Sequence, residues 1–255
     1  WSWCCYEVSS RIRESELTRR ILLMCAVIGA IIKQPTERDL DMIRKVFFES
    51  KIRGMHATGM SYLPHWSDKV ETVKMEGSSE KFIAQHLHHL DYLVNTDGNL
   101  YLIGHCRYST SDLEFNQPMA TDTKSIVHNG VLTQELPENW ESLYGYKTET
   151  KNDSELILHS ECPLSEFADM SMGVCELNID KTLVAYRNGK RPLYLTSLPN
   201  GCIITSTVDI AKRAGITDPI MELPMNLRTT IDEYLAVNYE RIEVNGVDYQ
   251  HYEFH

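Results

Sequence analysis

The 255-residue chain predicts an α+β fold. Strand-like runs outnumber helical ones, and the two types follow no strict alternation, which disfavours a doubly wound parallel sheet. No repeat, linker or low-complexity stretch divides the sequence, so residues 25–255 read as one domain. The first element is the unbroken apolar run 25–32, a buried strand terminated by Pro35. Thr36 then caps a helix to about Ser50, with Asp39 at its third position. Residues 57–63 and 69–75 read as strands. Residues 78–94 read as a helix, with Ile83, Leu87, Leu90 and Val94 on one apolar stripe. Strands follow at 100–107 and 124–128. After an irregular centre, three more lie close together at 182–187, 193–198 and 202–207, with Asn188-Gly189 as an ordinary turn. The short apolar stretches 231–237 and 239–247 are expected to close the fold.

The segment before Cys25 imitates a targeting signal, because Arg19-Arg20 precedes the apolar run 21–32. That run falls short of the roughly 20 residues needed to span a bilayer, and Lys33-Gln34-Pro35 offers no small-residue cleavage site. No membrane association is expected. Residues 1–24 are read as an extension, either a propeptide or upstream sequence translated ahead of a start at Met24.

A net charge of −11 argues against nucleic-acid binding, which relies on basic patches neutralising phosphates. Seven cysteines without a CxxC pair suggest neither a disulfide framework nor a zinc ribbon, so a reducing cytoplasm is the simplest setting. In His86-Leu87-His88-His89 only His86 and His89 share a helix face, and nothing completes a ligand set, so a solvated face is expected. There is no phosphate loop, dinucleotide motif or metal set. No cofactor is expected.

Four places can carry chemistry, each with a plainer alternative. Cys25 is a small hydrophobe at the head of a buried strand. It becomes a nucleophile if Met24 is removed, because a free α-amine of pKa about 7.7–8.0 can accept the thiol proton. Arg107 is either a surface arginine or a bidentate clamp for a carboxylate. Asn129-Gly130 is a hairpin signal, or else a side-chain amide and a backbone N–H donating to an oxyanion. Asn152-Asp153-Ser154-Glu155 looks like a helix N-cap, whereas a functional Asp153 would pair with an ammonium group.

Taken in order, these segments give the chain a family resemblance. From Cys25 to about Lys212 it resembles the glutaminase domain of class II glutamine amidotransferases, which are N-terminal-nucleophile hydrolases. The matching pieces begin with Met24-Cys25-Ala26-Val27-Ile28-Gly29 and Arg53-Gly54-Met55-His56-Ala57-Thr58-Gly59. Gly104-His105-Cys106-Arg107-Tyr108-Ser109-Thr110, Asn116-Gln117-Pro118 and Val127-His128-Asn129-Gly130 follow. Asn152-Asp153-Ser154-Glu155 and Arg191-Pro192-Leu193-Tyr194 complete the series.

The resemblance implies a four-layer α/β/β/α sandwich of two antiparallel sheets between helix layers. It implies that Cys25 is the nucleophile and its α-amine the base, that Asn129 and Gly130 form the oxyanion hole, and that Arg107 and Asp153 hold the α-carboxylate and α-ammonium of L-glutamine. Ala26 replaces the family's usual glycine, His56-Ala57 an acidic residue and serine, Tyr108-Ser109 a Trp-Ala, and Gln117 a histidine. None of these differences removes a residue from a named role. Family members usually carry a second domain that consumes the ammonia, and residues 213–255 are too few for one. A separate ammonia-accepting synthase subunit is therefore expected. Two other readings stay open: a catalytically silent glutamine-binding or scaffolding module of the same fold, and an N-terminal-nucleophile amidohydrolase acting on another amide.

Overall fold

A computed structural model describes residues 25–88, 91–108 and 115–244. The extension 1–24 expected from the sequence lies outside them. Strand β1 (Ala26–Lys33) is buried almost throughout. Its even-numbered residues Ala26, Ile28, Ala30 and Ile32 enter one core, while Val27 and Ile31 enter another. A strand covered on both faces has no polar side to alternate with, which explains its continuous apolar run.

Twelve further strands among the described residues complete two antiparallel sheets. In chain order they are β2 (Ala57–Tyr62), β3 (Glu71–Glu76), β4 (Asn99–Arg107), β5 (Met119–Ala120), β6 (Lys124–Val131), β7 (Ser171–Asn178), β8 (Leu183–Arg187), β9 (Tyr194–Leu198), β10 (Gly201–Thr205), β11 (Ile220–Glu222), β12 (Leu227–Ile231) and β13 (Val237–Arg241). The first sheet runs β11-β9-β10-β1-β4-β2-β3 and the second β13-β12-β8-β7-β6-β5. Between them lies a core that includes Val27, Ile31, Tyr101, Ile103, Val127 and Cys175.

Helix α1 (Glu37–Ser50), α2 (Ser79–His86) and α6 (Val208–Arg213) cover the outer face of the first sheet, burying Ile43, Phe47, Phe82 and Ile210. Helix α3 (Trp140–Tyr144), α4 (Glu155–His159) and α5 (Pro163–Glu166) cover the second, through Trp140, Leu156 and Leu164. The result is the expected α+β, four-layer α/β/β/α sandwich. No helix among the described residues is long and apolar enough to cross a membrane. Cys25, Cys106, Cys162, Cys175 and Cys202 are free thiols.

The start of α1 follows local rules: Thr36 Oγ1 accepts from Asp39 N at 3.3 Å, and Asp39 Oδ2 accepts from Thr36 N at 2.7 Å. The second helix ends earlier than the expected 78–94. Its C-terminal carbonyls are claimed from outside, Leu87 O by Arg44 Nε at 2.7 Å and His88 O by Arg44 Nη2 at 3.3 Å. Leu87 is fully buried, Ile83 only partly, and Val94 instead forms a bridge with Leu100. Leu90 and His89 lie outside the described residues, and the His86 ring sits 4.9 Å from that of Phe82.

Three other expectations are corrected. The strand expected at 124–128 continues to Val131, so Asn129-Gly130 lies within a ladder and not at a hairpin turn. β8 and β9 belong to different sheets, so the segment 188–193 is a crossover between layers. The stretch 231–237 is no single element: it spans the end of β12, a turn and the start of β13, an exposed edge strand.

Candidate active site

Register brings three chain segments to one end of the first sheet. Ala26 pairs with Cys106, Thr58 with Cys106, and Ala57 with Arg107. Cys25, one residue before β1, therefore sits beside the end of β4. It is half-buried, with Sγ 3.8 Å from Tyr108 O. Burial pushes its thiol above the ordinary value. The contact at the Tyr108 backbone and the charges of Arg107, Arg53 and Arg191 pull in the opposite direction.

Arg107 is tied into this corner. Its Nη1 donates to Asn116 Oδ1 at 2.7 Å and to Phe115 O at 3.2 Å. Phe115 O also accepts from Asn152 Nδ2 at 2.9 Å, linking Arg107 to the turn that carries Asp153. Asp153 Oδ2 in turn accepts from Leu132 N at 2.6 Å, just beyond β6. A cation at the end of β4 and an anion at the end of β6 are thereby joined through the Phe115 carbonyl. The N-cap reading of 152–155 holds at Asn152, whose Oδ1 accepts from Ser154 N at 3.0 Å, while Ser154 itself makes no side-chain cap.

Along β6, Val127 faces the core between the sheets, and Asn129, two residues on, faces the same way. Its Nδ2 is buried and, among the described residues, has no acceptor. Gly130 pairs with Met172, whose N–H and C=O are both taken by Asn188, at 3.2 and 3.1 Å. Residues 130 and 172 thus form a non-hydrogen-bonded pair, and the Gly130 N–H points away from β7. It lies on the side where His128 N donates to Gln117 Oε1 at 2.5 Å and His128 O accepts from Gln117 Nε2 at 3.1 Å.

His128 on β6 and His105 on β4 are both buried. His128 Nε2 is 3.2 Å from Ser171 O, and its Nδ1 is 2.9 Å from Ser154 Oγ, which also accepts from Gln117 Nε2 at 2.9 Å. The network assigns the proton to Nε2. Burial lowers the His128 pKa, against the pull of Asp153. Burial also lowers that of His105, to about 3, with help from Arg107. Both rings are neutral supports.

Gln117 appeared in a sequence motif without a role, and its amide serves as a surrogate strand for β6. Gln117→Leu should strand the buried His128 N–H and C=O at roughly 1–3 kcal/mol each, less whatever water recovers, while Ser154 Oγ keeps its bond to His128 Nδ1. The expected outcome is a fall of about 2–4 kcal/mol in unfolding free energy, read by urea titration. A loss below about 0.5 kcal/mol would show that the amide does not hold the strand.

Among the described residues, no three His, Cys, Asp or Glu side chains converge as metal ligands. A groove of about 550 Å³ lined by Leu63, Trp66, Asn95 and Ile179 lies at the other end of β1 and β4 and is separate from this site.

No protein-family model matches the chain, and no curated protein sequence does. Solved structures match it well. Glutamine phosphoribosylpyrophosphate amidotransferase from B. subtilis, complexed with ADP and GMP, superposes with a TM-score of 0.64 at 16% identity, over 87% of this chain and 50% of that one. A structure described as the allosteric regulatory enzyme of purine biosynthesis gives the same values. The chain thus spans about half the length of the structures it matches. At this identity the likeness establishes the fold alone, the four-layer sandwich that this chain shares with those structures.

Proposed function

We propose that this domain is a glutamine amidohydrolase that releases ammonia through a thioester on Cys25. The observation that carries the reading is the Nδ2 of Asn129, buried and unpartnered among the described residues, beside the outward Gly130 N–H, at the end of the sandwich where Cys25 precedes β1. A side-chain donor without an acceptor among the described residues, next to a backbone N–H turned away from β7, suits an oxygen that gains charge only during reaction. Arg107 and Asp153 supply the opposite charges that a free α-amino acid needs.

In this mechanism the α-amine of Cys25 takes the thiol proton, and Sγ attacks the side-chain carboxamide carbon of glutamine. The C=O electron pair moves onto oxygen, where Asn129 and Gly130 hold it. Collapse expels ammonia, which leaves with the proton stored on the amine. Water then attacks the thioester, again through the oxyanion, and glutamate leaves as the thiol is restored. The amine exists only once the bond after Met24 is cut. With that bond intact the residue has no base, and the silent glutamine-binding reading applies. Met55 and Val131 are exposed apolar residues near Arg107 and at the end of β6, and they suit docking of a synthase that takes up the ammonia.

The test is intact-mass analysis of the chain expressed with its own N-terminal segment, before and after 6-diazo-5-oxo-norleucine. The expected result is a mass beginning at Cys25 and a single adduct mapped to that residue. A retained extension without an adduct, together with no adduct on a chain starting at Met24, would transfer the reading to the silent module.

A further inference from the structure

Arg191 lies on the crossover between the two sheets and entered the sequence analysis only as part of a motif. It stands over Gly173: a Cβ built there would lie 3.2 Å from Arg191 Cβ. Gly173 is the register partner of Asn129, and both positions face the space between the sheets. The missing side chain on β7 therefore opens the slot in which Arg191 approaches the Asn129 side chain. Its Nη1 donates to Lys190 O at 3.2 Å, within its own loop, while its Nε is buried without an acceptor. No carboxylate among the described residues forms an ion pair with it, whereas nearby Arg187 has Glu222 at 2.8 Å and Leu223 O at 2.6 Å. The charges of Arg191 and Cys25 act on each other, and Arg191 also bears on His128.

A guanidinium that has no counter-ion among the described residues, with one donor buried and idle, over the glycine that pairs with Asn129, is placed for an anion that forms transiently at that amide. We infer that Arg191 is an electrostatic residue of the reaction, stabilising the negative charge carried first by the Cys25 thiolate and then by the tetrahedral adduct. This rests on Cys25 being the nucleophile. The positive charge matters more than the shape, because a guanidinium in a half-buried site acts over several ångströms.

The experiment follows iodoacetamide alkylation of Cys25 against pH in wild type, Arg191→Lys and Arg191→Gln. All three carry the same N-terminus, checked by intact mass, and glutamine kinetics are run in parallel. In Arg191→Gln the alkylation midpoint should rise by about one unit. Its kcat should fall about tenfold or more with KM within about threefold, whereas Arg191→Lys should keep its midpoint within about half a unit of wild type. A merely structural role would move the thermal midpoint without moving the alkylation profile. A folded Arg191→Gln with the wild-type profile overturns the inference. If that variant does not fold, Arg191→Lys decides, because a full-unit rise with the charge retained would equally overturn it. Wild type that shows the expected alkylation behaviour without hydrolysing glutamine would defeat the amidohydrolase reading and leave the effect of Arg191 on Cys25 standing.

Discussion

Asn129→Ala should lower kcat for glutamine hydrolysis by about 10²–10³ while the protein stays folded. The reasoning starts from the resting state. Asn129 Nδ2 is buried and, among the described residues, donates to nothing, so truncation removes no hydrogen bond made by that nitrogen. An unsatisfied buried donor costs about 1–3 kcal/mol, and its removal offsets part of the packing lost with the side chain. A structural asparagine would behave in the opposite way, losing stability and keeping chemistry. The loss should fall on kcat with KM nearly unchanged, because the bond tightens only as charge develops on oxygen. Steady-state kinetics and a thermal melt on one preparation separate the two cases. Residual turnover within about tenfold of wild type would remove Asn129 from the oxyanion hole.

Gly130→Ala should fail one level lower, at the fold. A Cβ at this position would lie 1.8 Å from Ser171 O and 2.5 Å from His128 Nε2, and the backbone φ of +157° adds to the strain. The carbonyl belongs to the neighbouring strand and cannot swing aside as a flexible side chain would. Either β6 and β7 separate at this end or His128 gives up Ser171, and each breaks a buried network. The cost is expected in the exceptional range, about 4 kcal/mol or more, against a usual domain stability of 5–15 kcal/mol. Urea unfolding should show a large drop in midpoint, or the variant should accumulate as insoluble protein, and labelling of Cys25 should be lost with it. A soluble variant with a wild-type midpoint would mean that the β6–β7 pairing relaxes at no cost.

These two adjacent residues show how far sequence rules reach. By local turn preference Asn-Gly is a hairpin signal, and that preference is overridden because the ladder with β7 continues through Gly173 and Met172. The family resemblance placed both residues in an oxyanion hole. The idle Asn129 amide, among the described residues, and the outward direction of the Gly130 N–H follow only from tracing each neighbouring group to its partner.

Features that depend on near neighbours and on two-sided burial are legible in the order of residues alone. They include the apolar run of β1, the Thr36–Asp39 cap of α1, and the prevalence of strands that made α+β the expected class. The tertiary structure alone decided where α2 stops, because the groups that end it come from Arg44 on another helix. It also decided that the segment after β8 crosses between sheets, which sets Arg191 over Gly173. The Cys25 thiol feels the charges of Arg53, Arg107 and Arg191, each far from it along the chain. Capping and burial periodicity act within a few residues and are written locally. Charge and unmet hydrogen bonds act through space, and only strand register brings their owners together.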